Sequence, residues 1–334
     1  MRSRSPLRGC FMTCLTYDDR GGRLTERLFR GADVMEAHVG QRYALDSDRF
    51  PKVSIGLPVY NGERYLADAV QSLREQTFQD FELIISDNAS TDRTAEICQQ
   101  LVSQDARVRY VRQPGNIGAV RNFDFVARAA NGRFLKWSSA NDRCDPAMLA
   151  KCVAVLEREE DIVLCYGRTC LIDGHDREMG LYEYDLAVEQ ERPSARFLEV
   201  RNRMNLNNAQ NGLIRLDALR KTRLGRVYPD GDRILMAELA LYGKFRLLPD
   251  VLFYRRMDAG AASHFLSERE LRVFLDPESA HRGLTAYRLH SDCFWSVLRA
   301  PISASEKLAS LDFVVRSAYW DRRELWRDLT KWVS

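Results

Sequence analysis

Between Lys52 and Trp137 the chain alternates between two hydrophobic periods. Val53-Ser54-Ile55-Gly56-Leu57 reads as a buried strand, ended by a turn over 58–62. Over 63–76, Tyr65, Leu66, Ala69, Val70 and Leu73 recur at helical spacing. Residues 81–85 predict a second strand that runs into Ser86-Asp87-Asn88, and Ser90 or Thr91 can cap a helix starting near Asp92. A third short strand covers 108–111, a third helix 116–130 and a fourth strand 133–137. The polar loop 138–145 follows, and Pro146 opens another helix, as proline does at a first helical turn.

Repeats of this kind imply parallel strands joined by right-handed crossovers. Ligands bind such sheets at the carboxyl ends of the strands. Four polar clusters fall there, at 58–62, 87–92, 116–118 and 139–142. Their convergence on one edge predicts a site.

Beyond residue 160 the pattern loosens. A strand is predicted over 162–171, a charged loop over 173–204, and a polar stretch leading into a strand over 207–215. A helix over 232–242 precedes two short strands at 245–248 and 251–254. Residues 303–332 read as helical and basic, with Trp320, Trp326 and Trp332. No period of 20–50 residues recurs, which excludes a solenoid. Residues 1–50 are charged and weakly periodic, which predicts a poorly ordered leader or an upstream start. The expected division is a leader at 1–50, a main domain at 51–260 and a helical extension at 261–334. The main domain divides into a nucleotide-binding half at 51–160 and an acceptor half at 161–260.

The chain has 334 residues, 45% hydrophobic and 29% charged, an ordinary globular balance. Its formal charge of +3 makes no case for nucleic acid as a partner. None of the eight cysteines forms a Cys-x-x-Cys pair, so they read as reduced thiols and not as a zinc site. No apolar run approaches the roughly 20 residues that cross a bilayer, and the expected location is cytoplasmic. Near the end, Leu308, Leu311, Phe313, Val314, Ala318, Tyr319 and Trp326 lie among Lys307, Arg316, Arg322, Arg323, Arg327 and Lys331. Such a stripe suits its own domain, a second copy in a homodimer, or peripheral contact with the inner face of a membrane.

The first strand is followed by neither Gly-x-Gly-x-x-Gly nor a Walker lysine, so any nucleotide is held by other means. Asp87 could accept a base N–H or a ribose hydroxyl; it equally suits a turn. The ordered set Val53-Ser54-Ile55-Gly56-Leu57-Pro58-Val59-Tyr60-Asn61, Phe81 to Asp92, Asn116-Ile117-Gly118 and Ala140-Asn141-Asp142 resembles the donor-binding half of glycosyltransferase family 2. The likeness is clear over about 52–160 and weaker through Gly231-Asp232-Arg233 to Tyr254-Arg255-Arg256.

The resemblance implies a GT-A fold: a Rossmann-related α/β architecture with a mixed, mainly parallel sheet flanked by helices, here with a helical C-terminal extension. It implies inverting transfer of a sugar from a nucleotide diphosphate donor to a glycan or lipid-linked acceptor, as in polysaccharide biosynthesis. It places Pro58, Val59 and Tyr60 beside the base, with Asp87 holding it. Asn61, Glu63, Asn116, Gly118, Asn122, Ala140 and Asn141 complete the implied nucleotide site. Asp142 would bind a divalent metal, Mn²⁺ or Mg²⁺, and Arg255 and Arg256 would meet the diphosphate. Asp232 would be the catalytic base, with Asp230 in reserve. The family often has a histidine shortly after the arginine pair; here Met257 and Asp258 follow, and His264 lies further on.

Ser139-Ala140-Asn141-Asp142 carries one acid where the family commonly has two or three. Oxygen-seeking cations gain from each carboxylate charge, so weaker metal binding is expected. The departure leaves open weak metal use, metal-independent leaving-group stabilisation by Arg or Lys, or loss of activity. Competing readings are a silent nucleotide-sugar-binding relative, a nucleotidyltransferase and a structural scaffold.

Overall fold

The computed structural model describes residues 12–17, 24–29, 50–258, 266–277 and 284–333. The chain divides into two compact units, Met1–Arg49 and Phe50–Ser334. In the first, β1 (Met12–Tyr17) pairs antiparallel with β2 (Leu24–Phe29), Met12 opposite Phe29. The stretch expected to be a leader thus contains a hairpin; its other residues before Phe50 lie outside the described ones.

The second unit begins with β3 (Val53–Val59), β4 (Phe81–Asp87), β5 (Val108–Arg112) and β6 (Phe134–Trp137), alternating with α1 (Leu66–Arg74), α2 (Thr94–Gln104) and α3 (Ala119–Ala129). These four strands are parallel, in the order β5-β4-β3-β6. Every residue of β3 and β4 is buried, as a parallel sheet covered on both faces requires. Val53, Ile55, Leu57, Leu83 and Ile85 belong to one core layer with Leu66 and Val70 of α1, Cys98 of α2 and Leu149 and Leu156 of α4 (Met148–Arg158). Ile84, Leu135 and Trp137 face the other way and pack with Val126 of α3. Gly56 lies beneath α3: a Cβ there would sit 2.6 Å from Val126 Cγ2, so the helix can approach this closely only over a glycine.

The second half continues the same sheet. β10 (Leu213–Arg215) runs antiparallel to both β6 and β8 (Ile162–Ile172). β11 (Lys244–Arg256) is parallel to β8 and antiparallel to β7 (Arg143–Cys144), and β9 (Glu178–Leu181) pairs antiparallel with β8. The two stretches at 245–248 and 251–254 are one strand, whose register shifts between Leu248 and Val251. Pro249 lies in that shift and has no N–H for the ladder. Residues 173–204, expected as loop, contain β9 and α5 (Pro193–Arg203).

The second half also supplies α6 (Leu216–Arg220) and α7 (Gly231–Ala240). Among the described residues four helices follow β11: α8 (Glu268–Leu275), α9 (Thr285–Arg299), α10 (Ala304–Trp320) and α11 (Arg322–Val333), and the basic stretch at 303–332 consists of the last two. Cys293, Val297 and Val314 of this extension share a core with Phe197 and Val200 of α5 and Leu235 of α7. Glu238 of α7 is fully buried and accepts hydrogen bonds from Arg226 at 2.8 Å and Arg299 at 2.9 Å. A buried carboxylate needs such partners, since desolvation otherwise opposes its charge. Glu306 of α10 accepts from the Ser194 hydroxyl and amide and from Arg192, bonds that hold its carboxyl down at about 2. The outer stripe stays partly open: Leu308, Tyr319, Trp320 and Trp326 are exposed. No described helix is long and apolar enough to cross a membrane.

Candidate active site

The loops after β3 and β4 are stitched together at the carboxyl edge of the sheet. Asn61, at φ +50°, donates its N–H to Ser90 Oγ and accepts the Thr91 N–H at Oδ1, both at 2.9 Å. The Glu63 N–H meets Asp92 at 3.0 Å, and its carboxylate accepts the Arg93 N–H at 3.0 Å. Asn61 and Glu63, expected at the nucleotide, thus hold one loop against the other. These turn contacts also explain why α1 and α2 begin at Leu66 and Thr94, later than their polar approaches suggest. Pro58 and Val59 are buried in β3, opposite Ser86 and Asp87 of β4. Tyr60 stays 46% exposed at the rim, a free face on which a base can stack.

Asp87 is fully buried and accepts three bonds: the Ser90 N–H at 2.8 Å, the Tyr110 hydroxyl at 2.8 Å and Arg112 at 2.9 Å. Burial first, and then the bond to Asp87, push the Tyr110 hydroxyl well above its ordinary range. Asn88 bridges to the Asn116 side chain and the Ile117 N–H, and Asn116 accepts the Gly118 N–H, each at 2.9 Å. Gly118 has φ +84°, and a Cβ there would meet the Leu275 carbonyl at 2.5 Å, so this position requires glycine. Asn122 is buried and pairs with the Ser86 hydroxyl and carbonyl at 2.6 and 2.8 Å. The loops after β4 and β5 are therefore one hydrogen-bonded frame.

The loop after β6 carries Asp142. Its Oδ1 accepts the Arg256 N–H at 2.9 Å, and the Ser139 hydroxyl also bonds the carboxylate. Burial pushes the Asp142 carboxyl up; the Arg256 amide, the Arg255 charge, the Ser139 hydroxyl and the Lys136 charge pull it back. Ala140 packs against the core, and the Asn141 carbonyl accepts Arg256 Nε at 2.9 Å. The two arginines that end β11 point apart. Arg256 is 2% exposed, bonds the Asp173 carbonyl and Asp176, and stacks 4.2 Å over the Tyr65 ring. It is a strut between the 138–142 loop and the turn before β9. Arg255 is half-buried and donates to Asn208 Oδ1 at 2.7 Å. Lys136 of β6 is fully buried and donates to the carbonyls of Asn211 and Trp137 at 2.8 and 3.2 Å.

Asp232 sits in the first turn of α7 with its side chain exposed, where the helix N-terminus favours a carboxylate. Its Oδ2 accepts Asn207 Nδ2 at 3.0 Å. Asn208, the next residue, accepts from Arg255 and donates to Asp185 at 3.1 Å; Asp185 is anchored by the Thr169 amide and hydroxyl. Two adjacent asparagines thus touch Asp232 on one side and the Arg255–Asp142 group on the other. Asp230, the reserve candidate, is left-handed at φ +65° and pairs with Arg233 at 3.4 Å.

The residues implied for a metal do not make a cation cradle. Among the described residues no three His, Cys, Asp or Glu side chains gather into a group that could hold an ion. Asp142 is a single carboxylate already bonded by Arg256 and Ser139, with the charges of Arg255 and Lys136 beside it. His264 lies outside the described residues. A cavity of about 280 Å³ lined by Ala127, Arg128, Leu219 and Arg220 lies elsewhere, at the C-terminal end of α3 and beside α6. It touches none of the groups above.

Lys136, Asp185, Asn207 and Asn208 do not stand out from the pattern of motifs. Lys136 has one visible signal, a lysine inside the buried strand Phe-Leu-Lys-Trp. The asparagine pair falls in a polar run with no fixed spacing to anything else, and Asp185 in a stretch that reads as loop.

The profile of the family described as glycosyl transferase family 2 matches residues 54–215. Glycosyltransferase GlyG of Streptococcus pneumoniae is 31% identical over 113 residues, 34% of this chain and 38% of that protein. The uncharacterized glycosyltransferase EpsJ of Bacillus subtilis is 32% identical over 117 residues, 34% of this chain and 33% of its own. The matched stretch thus spans little more than a third of these relatives. Among solved structures, residues 1–349 of TarS from S. aureus, in complex with UDP, align with a TM-score of 0.56 at 16% identity, over 81% of this chain and 73% of that one. A complex of the same protein with UDP-GlcNAc aligns at 0.52. At this identity the likeness bears on fold alone: a mixed α/β sheet flanked by helices with a helical C-terminal region, as in GT-A-like proteins.

Proposed function

We propose, from the match of residues 54–215 to the profile described as glycosyl transferase family 2, that this protein transfers a sugar from a nucleotide diphosphate donor to the hydroxyl of a carbohydrate or lipid-linked acceptor, with inversion at the anomeric carbon. Asp232 takes the proton of the acceptor hydroxyl. The freed oxygen forms a bond to the anomeric carbon as the bond to the diphosphate breaks, and the nucleoside diphosphate leaves with that electron pair. The nucleotide lies along the ends of β3 and β4, with Tyr60 as its stacking face. The donor is a cytoplasmic metabolite class, and the enzyme works on that side, in the assembly of surface glycans.

One observation carries the reading. Asp232 is an exposed carboxylate at a helix start, bonded by Asn207, and the next residue, Asn208, bonds Arg255. A carboxylate and a cationic group are thus each held by one of two consecutive residues. Removing a general base typically costs about 10²–10⁴-fold in rate. Asp232→Asn should lower kcat by that order and leave donor KM nearly unchanged. Turnover kept within about threefold at saturating substrate would remove Asp232 from the mechanism.

A further inference from the structure

Tyr184 is left 64% exposed, yet the chain on both sides of it is tied down. Tyr182 donates its N–H to the Thr169 carbonyl at 2.8 Å, and its hydroxyl accepts the Leu206 N–H at 3.0 Å. Asp185 accepts the Thr169 amide and hydroxyl at 2.6 and 3.0 Å and Asn208 Nδ2 at 3.1 Å. The Tyr184 ring meets the buried Tyr182 ring edge to face, with centroids 5.6 Å apart and planes at 65°. A single exposed aromatic residue is ordinary on a protein surface. One fixed by a ring contact, with bonded residues on either side, loses little freedom when a ligand settles on it.

Both tethers lead to the proposed base. Leu206 and Asn208, which hold Tyr182 and Asp185, flank Asn207, and Asn207 bonds Asp232 at 3.0 Å. The ring of Tyr184 is thereby fixed relative to Asp232 through consecutive residues of one segment. Ligand sites combine aromatic walls with a few placed polar groups, and a sugar asks for both. The hydroxyls around its edge need carboxylates and amides, while the C–H groups of its face need a flat apolar surface. Asp232 and the asparagines beside it offer the first, and Tyr184 the second. The nucleotide has its own stacking face in Tyr60, at the ends of β3 and β4. Resting on the transfer reading above, we infer that Tyr184 is the platform of an acceptor subsite, on which a pyranose unit of the acceptor stacks the C–H face of its ring.

The experiment is saturation-transfer NMR of the full chain with the methyl pyranosides of glucose, galactose, mannose and N-acetylglucosamine, both anomers of each. At least one should receive saturation, strongest at its ring C–H protons, and more when aromatic rather than methyl protons of the protein are irradiated. Tyr184→Ala should weaken that glycoside by about three- to tenfold, the worth of one aromatic contact, and Tyr184→Phe should keep it within about twofold. The side chain is exposed, so both variants should melt with the parent. If the parent saturates none of the glycosides, or saturates one equally from aromatic and methyl protons, the inference falls; these two results need only the unaltered chain. A folded Tyr184→Ala that binds like the parent overturns it, and so does a Tyr184→Phe that loses as much as Tyr184→Ala, since the hydroxyl would then be the contact. Calorimetric titration with UDP, GDP and dTDP runs alongside. A nucleotide that binds the parent while no glycoside does removes the acceptor platform and leaves the donor reading standing. Glycoside binding that depends on Tyr184, with none of the three nucleotides bound, leaves the sugar surface and removes the donor reading. A nucleotide weakened by Tyr184→Ala as much as the glycoside would make this ring a nucleotide contact and overturn its assignment to the acceptor.

Discussion

Replacing Asp87 with alanine separates a carboxylate that touches a nucleotide from one that holds the loops around it. In the structure Asp87 is closed to solvent and receives the Ser90 amide, the Tyr110 hydroxyl and the Arg112 guanidinium. Removing one member of a buried charged group costs about 3–5 kcal/mol, because its partners stay behind unsatisfied. Arg112 is 46% exposed and can turn to water, so its share is screened and the lower end applies, about 3 kcal/mol. For a body of this size each kcal/mol lowers the melting temperature by roughly 2 °C, giving a fall of about 6 °C. The assay is a thermal melt followed by circular dichroism, alongside nucleotide titration well below the transition. Asp87→Ala should melt lower, and its nucleotide affinity should fall through loosening of the 88–93 loop. If it melts within about 1 °C of the parent, the three bonds contribute little to stability and the frame argument made for this edge is wrong.

Gly56→Ala should destabilise by about 1–3 kcal/mol, the usual cost of overpacking; its new methyl would collide with Val126, and urea unfolding should show a lowered midpoint with an unchanged slope. Glu306 titrates near 2 in the folded chain against 4.5 ordinarily. Its contribution is therefore fully present above about pH 4.5 and is lost as the pH falls through that window toward 2. Glu306→Gln should accordingly be less stable than the parent at neutral pH and lose that deficit in acid. Acid unfolding curves of the two chains that stay parallel from pH 7 to pH 2 would contradict the assignment.

The first half of the sheet was open to reading from sequence because β3 and β4 are buried along their whole length and end abruptly in polar residues. Val53 to Leu57 and Phe81 to Ile85 have no competing interpretation at that length, and the clusters after them could only be loops. Helix α5 was hidden for the opposite reason. It buries Phe197 and Val200 but also Arg196, whose guanidinium bonds the carbonyls of Ala240, Gln190 and Glu191. An arginine used to satisfy a helix end inside the fold looks, in sequence, like solvated surface. Lys136 misleads in the same way. At the candidate site, motifs point to stretches of chain but not to the division of labour within them. Asn61, Glu63 and Asn122 are bonded within the frame, Arg255 and Arg256 face different neighbours, and no spacing rule pairs Asp232 with Asn207.

The fully enclosed Glu238 has a consequence for modularity. The helix that presents Asp232 at its first turn is gripped further along by Arg226 from its own half and by Arg299 from the C-terminal helices. A chain ended near residue 260 would strip one of those two cations from a carboxylate with no access to water, and would uncover the apolar side of α5 and α7 with it. The last seventy residues are therefore not an appendage that can be traded between relatives. Helices α9 and α10 are the back wall against which the helix of the proposed base is braced, and any swap of the segments around α5 and α7 has to carry them along.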